Sequence, residues 1–542
     1  MDRRGFVLSC LAGALASCAE PDATVSTLPP GDLLGTSLAV GHLLRAGRFA
    51  APSAVQRIPV VIIGAGIGGL SAGWKLDRAG FDDFAIVELE PEAGGNSRHG
   101  ANAVSAYPWG AHYLPLPTSE SRAVREMLAG FDVLQGDPSA ARPRYDERFL
   151  CHAPQERLYR NGLWQEGLLP HIGVTRGDRD QYARFHDLIA GFRRRRDARG
   201  RKAFALPLDL SARDADLLEL DRVTMRDWLL AQGLTSPPLH WYVNYACRDD
   251  YGTDYAETSA WAGVHYFACR DGEAMDAAAD TVLTAPEGNG WIVRRLMQRL
   301  QPRLRTDSLV CRIAETEEGV EVDFFQPAVG RTQRFVARQA IWAAPLFVLP
   351  HVWEGMPHDL IAAVRGFAYA PWLVANLTLT EPPPQQAGAS LAWDNVLYDG
   401  PGLGYVVATH QTIRTRPGPT VLTYYRALSD RTPKLAREEL LATGRTAWAE
   451  RILGELEKPH PGLRRLTTRL DVFRHAHAMV RPLPGTVWNE KRQRLKQGVG
   501  RLHFAHADVS GMSLFEEANY RGVLAAERAL RYLGVPFASS LG

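Results

Sequence analysis

The residues best suited to chemistry in this chain are glycines. Gly64, Gly66 and Gly69 stand at G-x-G-x-x-G spacing, with Ala65 and Gly68 between them, and an acid, Glu88, follows by about 20 residues. That order suits a dinucleotide. The first glycine allows a tight turn, the second lets backbone approach a pyrophosphate, and the third lets the next helix pack close to its sheet. The helix N-terminus favours an anion through unpaired N–H groups and partial positive charge, so binding there needs no basic side chain. Glu88 is placed to accept hydrogen bonds from the ribose hydroxyls of an adenosine. A second candidate group is His475 and His477, in the run RHAHAMVRPLPG. A histidine can take a substrate proton near neutral pH, although structural histidines with satisfied partners are the commoner case. No metal site is expected. Cys151, Cys247, Cys269 and Cys311 form no CxxC pair and have no metal-ligand spacing. They read as buried free thiols, with a disulfide open to them in an oxidising compartment.

These residues need elements to hold them. Val60 to Ile63 is a continuous apolar run, which predicts a strand buried on both faces of a parallel sheet. A helix follows to about Ala79, where Gly80 ends it, and Phe84 to Val87 make the next strand, with Glu88 at its tip. Ser308–Ile313 and Val320–Val322 alternate like antiparallel strands, and Ala340–Pro345 closes that unit. Near the end, Leu502 to Asp508 reads as a strand finishing in an acid, followed by a helix through Glu516, Glu517 and Ala518 to Ala526. Between these pieces, 119–285 reads as mostly helical, with aromatics concentrated from Trp228 to Phe267; most are core, and some line an apolar pocket. The basic run Phe192–Lys202 reads as a solvated helix face rather than an anion site.

After Glu88 the run LEPEAGGNSR carries Gly94 and Gly95, and this arrangement resembles the flavoprotein superfamily of amine oxidases, phytoene desaturases and protoporphyrinogen oxidases. The resemblance implies FAD as cofactor, with the glycine pair looping under its phosphates. Where many members have an arginine directly after that pair this chain has Asn96, with Arg98 two positions on to substitute for it. In AYPWGAHYLPLP, it places Gly110 and Ala111 beside the flavin and makes His112 and Tyr113 candidate site residues; a packed aromatic loop is the alternative. It also implies that the backbone at Val310 holds the adenine, that the Ala343-Ala344-Pro345 strand returns to the sheet, and that Asp508 contacts the ribityl-pyrophosphate. The last helix, with Glu517 and Ala518, would aim its N-terminus at the flavin N1–C2=O edge, where a helix dipole stabilises the charge of the reduced ring. The implied fold class is α/β: a Rossmann-like FAD-binding parallel-sheet domain assembled from 57–118, 285–350 and 470–542, plus an α+β substrate (cap) domain from 119–284 and 351–469.

Two departures bear on activity. Amine oxidases of this superfamily place an aromatic over the flavin two residues before the Glu of the final helix, and here that position is Leu514. They also carry a lysine bridging through water to flavin N5; the matching stretch PWLVANLTL offers Asn376, and no lysine occurs between 203 and 433. The expectation is therefore an FAD-dependent oxidoreductase that dehydrogenates an amine or an apolar compound by two electrons, with an open electron acceptor. The alternatives are a catalytically degenerate flavin-binding scaffold and a nicotinamide-dependent dehydrogenase; the Asp508 segment argues against the latter.

With 542 residues, 46% hydrophobic, and a formal net charge of +2, the chain can bury the cores of two or more domains. Its near-neutral balance implies no nucleic-acid partner, only a small-molecule substrate, and leaves oligomeric state open. Residues 1–18 read as an export signal. Arg3-Arg4 followed by Gly5, Phe6 and Val7 resembles a twin-arginine signal, which carries folded cofactor proteins to the periplasm. Its apolar run is shorter than the ~20 residues that span a bilayer. Leu15-Ala16-Ser17-Cys18 resembles a lipobox, so a lipidated Cys18 would tether the body to a membrane through 19–56; the alternatives are cleavage elsewhere or a retained anchor.

Overall fold

The computed structural model describes residues 28–541. The expected signal and Cys18 lie outside the described residues. Leu33–Gly35 is a short strand, and Leu38–Gly41 and Leu43–Ala46 are single helical turns.

The first sheet begins with β1 (Val55–Ile63), α1 (Ile67–Arg78) and β2 (Phe84–Val87), and β1 and β2 pair in parallel from Val60↔Phe84 to Ile63↔Val87. Val60, Val61 and Ile62 have no exposed surface, as a run apolar on both faces requires. The chain then leaves this sheet. The hairpin β3 (Glu156–Arg160) and β4 (Leu163–Glu166) interrupts the expected helical stretch, which otherwise includes α2 (Pro237–Tyr251) and α3 (Ala260–Ala268). On its return the chain builds the antiparallel run β5 (Leu309–Glu315), β6 (Val320–Gln326) and β7 (Arg331–Trp342). The last strand lies parallel beside β1, with Ile341 opposite Ile62.

A second sheet is made of β8 (Tyr369–Leu379), β9 (Asp394–Leu397), β10 (Gly404–Val407), β11 (Thr420–Ala427) and β12 (Thr467–Val480). Its eight strands run Leu33–Gly35, β12, β8, β11, β10, β9, β3, β4. The boundary expected at 470 is thereby corrected: β12 is hydrogen-bonded along β8, so the chain re-enters the first layer only at β13 (Leu502–Phe504), parallel to the end of β7. The chain's final helix, α4 (Phe515–Leu533), lies against α1. A Cβ at Gly68 would run into the Ala505 carbonyl, and one at Gly522 into the Gly68 carbonyl, so the two helices touch backbone to backbone. Asn519 Nδ2 donates to Ser71 Oγ at 3.0 Å across the same contact, between residues 448 positions apart. The helix that enters the basic run ends at Arg194, so most of the run expected as a helix face lies beyond it; there Arg195 and Arg201 pair with Asp214, Asp216 and Asp197, and Lys202 with Glu120 and Asp271.

Candidate functional site

The turn between β1 and α1 is a cradle of backbone. Gly64 has φ 101°, and a Cβ on it would sit 2.8 Å from Ala344 N. A Cβ on Gly69 would strike the Gly64 carbonyl, so the turn closes only with glycine at both positions. Above Gly66 the space is open, with nothing nearer a Cβ than Gly95 Cα at 4.0 Å. The Gly94-Gly95 loop is tied down by Gly94 N donating to Ala65 O at 2.8 Å. Arg98 donates through Nε to Gly95 O at 3.1 Å and through Nη1 to Glu90 Oε2 at 3.2 Å.

Glu88 reaches back into this turn. Its Oε2 accepts from Ala65 N at 2.5 Å and its Oε1 from Glu90 N at 2.9 Å. Burial pushes its acid up, while those N–H groups favour the anion. Ser308 N donates to Glu88 O at 2.9 Å, which sets the strand carrying Val310 beside the tip of β2. Open space over a glycine turn, a helix N-terminus and an acid at the second strand's tip fit a dinucleotide.

Next to the cradle is a cavity of about 160 Å³. Asn96, Gly110 and Ala111 line it from the cradle side, held together by Ala111 N donating to Asn96 O at 2.8 Å. Ser513, Leu514, Phe515 and Glu516 line it from the start of α4, whose N-cap residue Leu514 supplies no side-chain hydrogen bond to the first turn. The second sheet contributes Trp372 and Val374 from β8, Tyr425 from β11 and His475 from β12. From the helical segment come Asp249 and Asp250 at the end of α2, and Arg270 just past α3.

Charge in the wall is unevenly matched. Arg270 Nη2 donates to Asp250 Oδ1 at 2.5 Å, and Arg270 Nη1 reaches Tyr113 OH at 3.3 Å. The Tyr113 hydroxyl lies 3.4 Å from both Asp249 Oδ2 and Asp250 Oδ1. Burial, then the Asp250 charge, pushes the Asp249 acid up to about 7. Burial likewise raises Glu516 to about 7. Behind Tyr425, whose hydroxyl donates to Asp394 Oδ1 at 2.7 Å, burial also pushes the Asp394 acid up. Among the described lining residues Asp249, Asp250 and Glu516 face one cation, Arg270.

The two histidines in the wall are neutral at pH 7, because burial lowers each to about 4. His475 Nε2 donates to Trp109 O at 2.6 Å and His112 Nδ1 to Gly110 O at 3.3 Å, which fixes each tautomer. The His112 ring packs tilted by 40° against Tyr425, ring centroids 5.0 Å apart.

Several expected site residues take other places. His477 does not line the cavity; its ring packs 4.5 Å from Phe347. Asp508 is buried, and its Oδ2 accepts from Leu346 N at 3.0 Å and Tyr369 OH at 2.7 Å, so it braces the turn after β7. Glu517 does not line the cavity and accepts from Leu208 N at 2.5 Å; Glu516 takes the cavity-facing position, and Ala518 packs near the Gly68 backbone. Asn376 is spent on Pro108 O and the Thr423 hydroxyl, and the β8 positions facing the cavity are Trp372 and Val374. The sequence reading missed Asp249, Asp250 and Arg270. Its one available signal was a pair of adjacent acids closing an otherwise aromatic helix, WYVNYACRDDY.

Cys151, Cys247, Cys269 and Cys311 are free thiols, three of them buried. Among the described residues no cluster of His, Cys, Asp and Glu is arranged to hold a metal, and no helix is long and apolar enough to cross a membrane.

Residues 62–131 match the family described as the NAD(P)-binding Rossmann-like domain. No curated protein matches the chain in sequence. In structure it is similar to wild-type putrescine oxidase bound to putrescine, at 13% identity and a TM-score of 0.64, covering 89% of this chain and 100% of that one. Cyclohexylamine oxidase from Brevibacterium oxydans matches at 15% and 0.63, over 88% and 99% of the two chains. A fatty acid isomerase from P. acnes matches at 15% and 0.60, over 88% and 98%. What the chain shares with all three is the fold.

Proposed function

We propose that this chain is an FAD-dependent oxidoreductase of the flavin amine oxidase-like superfamily that dehydrogenates a small amine by two electrons. The observation that carries this is the continuity of the site: one cavity runs from the loop beside the glycine turn, past the α4 N-terminus, to a carboxyl-rich wall. Gly64, Ala65, Gly66, Gly94 and Gly95 would hold the pyrophosphate, Glu88 the adenosine ribose and the backbone at Val310 the adenine. When bound, the flavin supplies the two-electron acceptor. The uncapped start of α4 would stabilise negative charge on the ring edge nearest it. The folds of putrescine oxidase and cyclohexylamine oxidase support the reading.

Charge favours an amine over an apolar substrate. A hydrocarbon in this cavity would leave Asp249 and Glu516 desolvated and unpaired, which is costly, whereas an ammonium group offsets that cost. The aromatic wall of Trp372, Tyr425 and Tyr113 suits the rest of a small organic cation. Arg3-Arg4 and Cys18, outside the described residues, support export to the periplasm and a lipid tether on sequence grounds alone.

The test is the visible absorption spectrum of protein purified without added cofactor, followed by anaerobic titration with primary amines. An oxidised flavin spectrum that bleaches with an amine is expected. A colourless protein that takes up no FAD overturns the reading, and a flavoprotein that no substrate bleaches is the degenerate scaffold.

A further inference from the structure

We propose that Asp249 is the proton acceptor of this cavity: when a protonated amine enters, the Asp249 carboxylate takes one ammonium proton and leaves the nitrogen lone pair free. The inference rests on the amine reading above and names the residue that prepares the substrate. In the step an N–H bond breaks, an O–H bond forms, and the electron pair of the N–H bond stays on nitrogen. Nothing is oxidised. The deprotonation matters because only a nitrogen with a lone pair can form the C=N bond as the neighbouring carbon gives up its hydrogen.

The geometry singles out Asp249. Two adjacent acids close α2, and the one guanidinium in the wall is committed to Asp250 at 2.5 Å and to the Tyr113 hydroxyl at 3.3 Å. Tyr113 has a single hydrogen to donate, at 3.4 Å from either acid. Asp249 is therefore the acid without a cation, and it is half-buried where Asp250 is buried, so it meets whatever fills the cavity. The groups acting on it are Asp250, Arg270 and Tyr113, with Asp394, Tyr245, Tyr266 and Tyr425 in the surrounding shell. With its acid raised to about 7, Asp249 exchanges protons at neutral pH, while His112 and His475, lowered to about 4, accept one only in acid. Glu516 is the rival, also at about 7, but it is buried at the first turn of α4.

The probe is benzyltrimethylammonium, a cation with no ammonium proton to lose, titrated calorimetrically into the protein at pH 7 in phosphate and in Tris. Meeting the cation ionises Asp249, so an acid at about 7 releases roughly half a proton per cation bound. Asp249→Asn is expected to release none, and Asp249→Glu, which keeps the carboxyl, restores the release. In the flavin-loaded protein, anaerobic bleaching by benzylamine should quicken as pH rises through about 7. In Asp249→Asn it should slow roughly 100-fold at pH 7, with its pH dependence moved toward the amine's own ionisation. The proposal is overturned if the cation fails to bind, if Asp249→Asn still releases the proton, or if Glu516→Gln abolishes the release while Asp249→Asn does not. The calorimetric measurement does not depend on flavin. A protein without flavin therefore counts against the function, and an amine-bleached flavoprotein indifferent to Asp249→Asn counts against this inference alone.

Discussion

At the β1–α1 turn the close contacts are backbone on backbone, tied by the Glu88 carboxylate to the Ala65 N–H, and Gly64, Ala65, Glu88 and Gly94 lie within one short stretch of chain. The cavity wall beside it is assembled from side chains between Asn96 and Glu516, drawn from the second sheet, two helices and the loops between them. The first region tolerates almost no change of shape, and its charged groups, Glu88, Glu90 and Arg98, are spent on backbone or on each other. The second is wide enough to accept changes of shape, and its sensitivity is to charge. A nucleotide is held by form, which glycine spacing encodes, while a substrate is chosen by chemistry, which any element reaching the cavity can supply.

Breaking the comparison at its strongest point means adding one methyl group to the cradle. Gly69→Ala sets a Cβ against the Gly64 carbonyl and leaves no neighbour free to yield. We expect a loss of about 3 kcal/mol by urea unfolding, together with loss of bound flavin from the 450 nm to 280 nm absorbance ratio. Retention of both would mean that the turn is not the rigid form described above.

The counterpart in the wall is Arg270→Met, which keeps volume and removes charge. Asp250 then stands buried without its partner, at a cost of about 3 kcal/mol at pH 8. The cost should shrink toward pH 5, because an acid raised in the folded state contributes stability below its unfolded value and loses it as pH rises through the folded one. Burial already raises the Asp250 acid with the arginine present. Equal destabilisation at pH 5 and pH 8 would show that Arg270 acts by packing rather than by charge.

The finest cut separates two histidines that sequence alone could not tell apart. His475→Ala removes the bond to Trp109 O and should cost about 1 kcal/mol and weaken benzyltrimethylammonium binding. His477→Ala, against Phe347 and outside the cavity, should leave that binding unchanged within measurement.

The same contrast explains what was legible in the sequence. The glycine spacing, the Val60–Ile63 strand, the Phe84–Val87 strand and the helix stop at Gly80 are local; the helix and the second strand lie within a residue or two of where the pattern puts them, while the first strand ends where expected but begins five residues earlier, at Val55. The pieces near Val310 and Asp508 were identifiable as elements of the first layer. What Asp508 and Glu517 touch was not, because a helix or a turn places neighbouring side chains on different faces. Asp249, Asp250 and Arg270 carry no motif. Their meeting depends on how α2 and α3 pack, and packing is settled by the whole fold. The β3–β4 hairpin was hidden for a related reason: its strands are short, and β3 pairs in parallel with β9, more than two hundred residues on.

The contact of α1 with α4 also sets a timetable. The wall against which the glycine turn packs, from Ala505 to Gly522, is made more than four hundred residues after the turn itself. At about 10 residues per second, Asn519 follows Ser71, its partner 448 positions earlier, by some three-quarters of a minute. Until then the turn is a strand and a helix with one open side. A ribosome stalled anywhere in that interval leaves a chain with the nucleotide motif intact and no closed cradle to use it.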